Sequence, residues 1–176
     1  MYTWLKKEPR GAEEHFNYFL MIFVFAFLWM ACVGTVIDIL GLAESRKAFT
    51  QTLERKAVVD PLNMLIISVT AVTVEELLFR IIPLGVAAAI AARLNTPSLI
   101  IATVIVSSVM FGYLHGGIAF VLLHGIGLGI PFSITFLKYG GARLAGAFKA
   151  SFIVIATHFT WNALVFLPRV VRVMLP

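Results

Sequence analysis

The sequence predicts an all-α polytopic membrane protein, organised as one integral membrane domain over residues 1–176. Three observations carry the prediction. Hydrophobic residues make up 60% of the chain and charged residues 13%, where a soluble domain carries roughly 45–50% and about 25%. The mean hydropathy is +0.96, so a water-soluble fold would lack the polar surface it needs. The apolar residues also gather into about five runs of spanning length, separated by short turn sequences.

Residues 1–16 are polar, with Tyr2 and Trp4 as candidate interface anchors. The first run, about 17–42, is rich in aromatics (Phe19, Phe23, Phe25, Phe27, Trp29). It follows Glu8, Glu13 and Glu14 and is too long for a cleaved signal peptide, so it reads as a retained span. Asp38 reads as a helix-end acid at headgroup level. Cys32 is the only cysteine, which excludes an intrachain disulfide and leaves it as a small hydrophobe.

Residues 43–60 mix Glu44, Arg46, Lys47, Glu54, Arg55 and Lys56 with a few apolar positions, the pattern of an interfacial amphipathic helix or of a solvated loop, with the helix preferred. Asp60-Pro61 resembles an N-cap followed by proline at the first helical position. The second run, about 62–94, would be about 48 Å long against a bilayer core of about 30 Å. It must tilt, bend or project, and Pro83, which cannot donate to the carbonyl of Phe79, offers a bend. Asn95-Thr96-Pro97-Ser98 is a turn, with Thr96 as the expected cap of a third run, about 97–115. Gly116-Gly117 breaks the pattern before a fourth run, about 118–138. Gly125, Gly127, Gly129 and Pro131 lie inside that run, marking either close helix packing or an unwound stretch. After Tyr139-Gly140-Gly141 comes a fifth run, about 144–167, which Pro168 is expected to end. No internal repeat is present.

The net charge is +5, unevenly placed. Every acid lies between Glu8 and Glu76, while Arg80, Arg93, Lys138, Arg143, Lys149, Arg169 and Arg172 come after it. Anchoring to anionic headgroups explains these cations better than nucleic-acid binding, so the bilayer is the expected partner and nucleic acid is not. With five spans the cations divide evenly between the two sides, and the positive-inside rule gives no orientation. Any carboxylate that a downstream histidine meets must come from the first 76 residues. Because no acid follows Glu76, neither His115 nor His158 is expected to have a further carboxylate to orient it.

Six polar residues inside the runs need a reason: Glu75, Glu76, Arg80, His115, His158 and Asn162. A charge at mid-bilayer costs at least ~2.5–3.5 kcal/mol. Glu76 and Arg80 are i,i+4 and can pair. Glu75 points about 100° away and faces a different neighbour, as a buried acid suited to proton transfer. His158 and Asn162 are also i,i+4, placing an imidazole beside an amide donor, and His115 stands at a helix end. Together they resemble a water-activating site with a donor for an oxyanion. The plainer alternative is interhelical hydrogen bonding, and that reading is kept for His124, as glue or a pore-side residue. His15 reads as a headgroup-region side chain. What favours a site is the set: six such groups on three runs with almost no other intramembrane charge.

These residues also resemble a known family. Glu75-Glu76-Leu77-Leu78-Phe79-Arg80 is similar to the EExxxR motif of the CPBP family, which comprises the CAAX proteases and bacteriocin-processing enzymes, also called Abi. Phe111-Gly112-Tyr113-Leu114-His115 is similar to its FxxxH motif, and His158-Phe159-Thr160-Trp161-Asn162 to its HxxxN motif. The three occur in the family's order, over a family-like core of about 60–168. The resemblance implies an intramembrane endopeptidase, similar to the Ras-converting CAAX endoprotease, in the cell membrane of a prokaryote. Its substrate would be a membrane-associated peptide or protein, of which a C-terminally lipidated one is a case. By the same resemblance Glu75 and His115 would activate water, and His158 and Asn162 would complete the site and stabilise the oxyanion. Glu76 and Arg80 would pair, support Glu75 and meet substrate, and Phe111 would pack one turn before His115.

Metal dependence stays open. There is no HExxH. Either no cofactor or one divalent metal such as zinc is compatible, in the latter case held by Glu75, His115 and His158. The glutamate mechanism is slightly preferred. Two other classes compete: a non-enzymatic immunity or assembly factor, and a small proton-coupled transporter, since buried Glu and His also mark proton relays.

Overall fold

The computed structural model describes residues 8–41 and 61–174. The expected interfacial helix over 43–60 and the Asp60 cap lie outside the described residues. Every regular element among the described residues is helical: α1 Gly11–Ile39, α2 Pro61–Glu76, a π-helical turn Leu77–Ile81, α3 Ile82–Leu94, α4 Ser98–Leu114, the short α5 Ile118–Phe120, a π-helical segment Val121–Gly129, α6 Ile130–Lys138 and α7 Leu144–Met174. The chain is an all-α polytopic membrane protein. Gly11–Ile39, Leu65–Leu94, Ile118–Lys138 and Leu144–Val165 are long and apolar enough to cross a bilayer. The 17 residues of α4 reach about 26 Å, just short of a bilayer core of about 30 Å.

Several boundaries differ from the sequence expectation. α1 starts at Gly11 rather than Asn17; Glu13 and Glu14 sit in its first turn, where the helix dipole favours acids. Thr96 does not cap α4: the cap residue is Pro97, and the Thr96 hydroxyl donates to the carbonyl of Leu94 instead. α7 continues through Pro168 to Met174, because a proline removes one backbone hydrogen bond and an apolar helix absorbs that loss.

The second and fourth spans are not continuous α-helix. Each widens into π-helix just before an Ile-Pro pair, Ile82-Pro83 and Ile130-Pro131. In the first, Ile82 donates to Leu77, five residues back; in the second, Ile130 donates to Gly125, again five back. A proline clashes with the carbonyl four residues before it, and widening the turn relieves the clash without leaving the helix. The bend expected at Pro83 is therefore a change of helix type over the preceding turn.

The span Ile118–Lys138 is the central one, with 61% of its apolar window buried against 22–28% for the other three. Its glycines explain how it fits. A methyl group on Gly125 would lie 2.7 Å from the Ser108 carbonyl, one on Gly129 2.9 Å from Ser108 Cβ, and one on Gly112 2.5 Å from the Phe120 carbonyl. α4 and the π-helical segment thus touch backbone to backbone, as small residues allow in membranes. The core around them is aromatic, with Phe79, Phe111, Phe132, Phe136, Tyr139 and Trp161 among its buried members. α1 joins it through Tyr18, Ile22 and Ala26, an i,i+4 stripe, while Leu20, Val24 and Phe27 face outward.

Candidate active site

The three motif-bearing segments meet at one place. Glu75 and Glu76 close α2, Arg80 follows on the π-helical turn, His115 ends α4 and His158 projects from α7. Glu76 and Arg80 are fully buried and paired, Nη1 donating to Oε1 at 2.9 Å. The same Oε1 lies 2.7 Å from Nδ1 of His158. A carboxylate only accepts, so Nδ1 of His158 is the donor and Nε2 is left as the acceptor nitrogen of the neutral ring. This corrects the expectation that neither histidine would find an orienting carboxylate. Glu76 supplies one to His158 across 82 residues of chain.

His115 is oriented by a different device. α4 ends in a tight turn, the His115 backbone N–H donating to Gly112, three residues back. The Phe111 carbonyl instead meets Nδ1 of His115 at 2.7 Å. A carbonyl can only accept, so this ring too is protonated at Nδ1 and presents Nε2.

Both free nitrogens face Glu75. Nε2 of His115 lies 3.7 Å from Oε1, and Nε2 of His158 lies 3.7 Å from Oε2. That separation is too long for a direct hydrogen bond. Exposure falls in the same order as chemistry requires: Glu75 is 28% exposed, His115 20%, His158 3% and Glu76 0%. The acid that faces the histidines is reachable; the acid that braces His158 is sealed.

Phe111 does more than pack. Its ring lies 4.0 Å beneath the Arg80 guanidinium carbon, 4.4 Å from the His115 ring centre and 5.9 Å from that of His158. The ring face stabilises a cation whose Nε and Nη2 make no hydrogen bond among the described residues.

Residues 57–164 match the family described as Type II CAAX prenyl endopeptidase Rce1-like, well over half of the chain. The chain belongs to this family. No curated protein and no solved structure matches it. Membership of the Rce1-like family implies a peptidase embedded in the membrane, and the buried polar cluster around Glu76 lies within the matched residues.

The donor types of Glu75, His115 and His158 suit zinc, but their arrangement does not. The two histidines approach different oxygens of Glu75, each at 3.7 Å. Among the described residues no group of three such side chains is placed to hold a metal ion. Asn162 lies one turn beyond His158 on α7, half-buried, on the same helical face. One residue that the motifs leave out joins the cluster: the His124 ring stacks on that of His115, centres 5.2 Å apart. Its local signal was a histidine four residues after Phe120 in an otherwise apolar run. His15 lies outside this site, its Nδ1 2.7 Å from the Tyr139 hydroxyl.

Proposed function

We propose that the chain is an intramembrane endopeptidase that hydrolyses a peptide bond of a prenylated, membrane-associated protein, in the cell membrane of a prokaryote, with Glu75 as the base. One observation carries the reading: two imidazoles, each with Nδ1 committed elsewhere, direct Nε2 at the two oxygens of one partly exposed carboxylate at 3.7 Å. A water between Glu75 and these nitrogens loses a proton to the Glu75 carboxylate as its oxygen attacks the substrate carbonyl carbon. Nε2 of His115 or His158 accepts the second water hydrogen bond and aims the lone pair. The Asn162 amide donates to the oxyanion that forms. When the C–N bond breaks, the proton held by Glu75 passes to the leaving amine, and the carboxylate is restored. Glu76 acts at one remove, holding His158 in the tautomer that presents Nε2. The family's substrate class supports a prenylated protein, whose lipid chain would keep the scissile bond at the depth of the spans.

The test uses purified protein in proteoliposomes and an internally quenched peptide ending in a farnesylated CAAX sequence. Wild type should cleave it, and Glu75→Ala should insert normally and lose about 10²–10⁴ in rate, the contribution of a positioned base. Equal cleavage by wild type and Glu75→Ala would sink the reading.

A further inference from the structure

His115 stands at a helix end, half-buried, for a group that must aim one nitrogen. α4 stops at Leu114, so no further helical turn follows to pack the ring, and the Cβ–ring torsion of histidine is intrinsically broad. The hydrogen bond from Nδ1 to the Phe111 carbonyl fixes one point on the ring's edge. A single bond leaves χ1 and χ2 free to rock together, and the Phe111 ring, centre 4.4 Å away, meets the imidazole at 55° rather than parallel to it.

The plane is held from the neighbouring span. The His124 ring is nearly parallel to that of His115, 12° between planes at 5.2 Å. Phe120 stacks in turn on His124, 16° between planes at 4.9 Å. Phe120 and His124 are i,i+4 on a backbone pressed directly onto α4 through Gly112, Gly125 and Gly129. Phe120 is buried, and the span that carries it is the most enclosed of the four. The stack therefore rests on a buried, backbone-to-backbone contact, whereas His115 sits at a helix end beside a glycine turn.

We propose that His124 is a positioning residue. Its ring, steadied by Phe120, holds the His115 imidazole in the one orientation that turns Nε2 toward Glu75. His124 acts through its ring face, so an aromatic ring without ring nitrogens serves in its place and an aliphatic side chain does not. The catalytic consequence rests on the proposed function; the conformational consequence does not.

Two measurements on full-length protein separate these. In the first, ring ¹⁵N spectra of histidine-labelled protein in micelles report the tautomer of His115, assigned by His-to-Gln substitution among the chain's four histidines. A ring that rocks away from the Phe111 carbonyl loses the bond that selects its tautomer, so wild type and His124→Phe should show a single Nδ1–H tautomer, and His124→Leu a mixture. If His124→Leu keeps the single tautomer, the proposal is overturned whatever the peptide assay gives. In the second, cleavage of the farnesylated quenched peptide should fall about 10- to 10²-fold in kcat for His124→Leu with KM unchanged, and His124→Phe should restore most of the rate. A His124→Phe as slow as His124→Leu overturns the ring-face role. Failure of wild type to cleave the peptide would overturn the proposed function and leave the tautomer measurement to decide this inference.

Discussion

Glu76 holds two partners on one oxygen and none on the other. Oε1 receives Arg80 and His158, while Oε2 is buried without a hydrogen bond among the described residues. Removing the carboxylate alone strands a buried guanidinium, which costs about 3–5 kcal/mol, whereas replacing both members of such a pair by apolar residues is often neutral or stabilising. Glu76→Ala should therefore unfold at markedly lower temperature in detergent, and Glu76→Met with Arg80→Met should recover most of that loss. Activity should not recover with stability, because His158 has lost the carboxylate that sets its tautomer. A double variant as active as wild type would show that the pair serves the fold alone. At this scale the sequence is half readable. The i,i+4 pairing of Glu76 with Arg80 follows from helical spacing alone. The bond from Glu76 to His158, the aiming of both Nε2 atoms at Glu75 and the His115–His124 stack depend on how distant segments pack, and no local pattern encodes that.

Among the elements, the crossing of α4 with the π-helical segment decides where His115 and His124 meet. A Cβ at Gly125 or Gly112 would meet backbone atoms at 2.7 and 2.5 Å, which cannot yield as a flexible side chain can. Overpacking of this kind costs typically about 1–3 kcal/mol. Gly125→Ala should lower thermal stability by about that amount and slow cleavage by parting the helices. Gly85→Ala is the contrast: nothing lies within 4 Å of its added Cβ, and alanine is the better helix former by about 1 kcal/mol. It should leave stability unchanged or raise it; equal destabilisation by both would refute the close-contact account. The spans themselves can be read from the sequence, since hydropathy and turn residues are local signals. The π-helical turns cannot, because apolar periodicity assumes the α repeat, although both Ile-Pro pairs stand at the right places. Of the two meanings of the glycine cluster, close packing holds, and the stretch is π-helix rather than unwound chain.

Across the whole molecule, α1 is tied to the matched core at three depths. Trp29 donates to the Leu122 carbonyl at 2.8 Å, Phe23 stacks on Trp161 at 6.4 Å, and at the other end Tyr18 bonds Thr135 and His15 bonds Tyr139. Glu8 and Lys149 form an ion pair at that same end. Tyr139 follows the last residue of its span, and burial, aided by the charge of Glu8, pushes its phenol up to about 12. The fold favours the neutral phenol, so this contribution is complete below the ordinary value of 10.0 and is lost as pH rises towards about 12. Thermal unfolding of wild type should therefore weaken over that interval relative to Tyr139→Phe. Parallel curves for the two proteins would remove Tyr139 from the account. The histidine end of this latch is invisible in the sequence because its partner lies 124 residues away.

The π-helical turn between Glu76 and Pro83 bears on how the chain tolerates changes of length. Such a turn is in effect one surplus letter that a helix has absorbed. Dropping one residue there, at Leu77 or Leu78, would let the segment close into α-helix with both ends still facing their neighbours, at the cost of the proline clash that the wider turn relieves. Glu76 and Arg80 would remain within pairing reach at i,i+3. The same deletion between Leu84 and Leu94 would swing everything before it by about 100° relative to the residues after it. Insertions and deletions in this span are thus not equivalent: one short stretch beside the two glutamates forgives a miscount, and the regular helix after it does not.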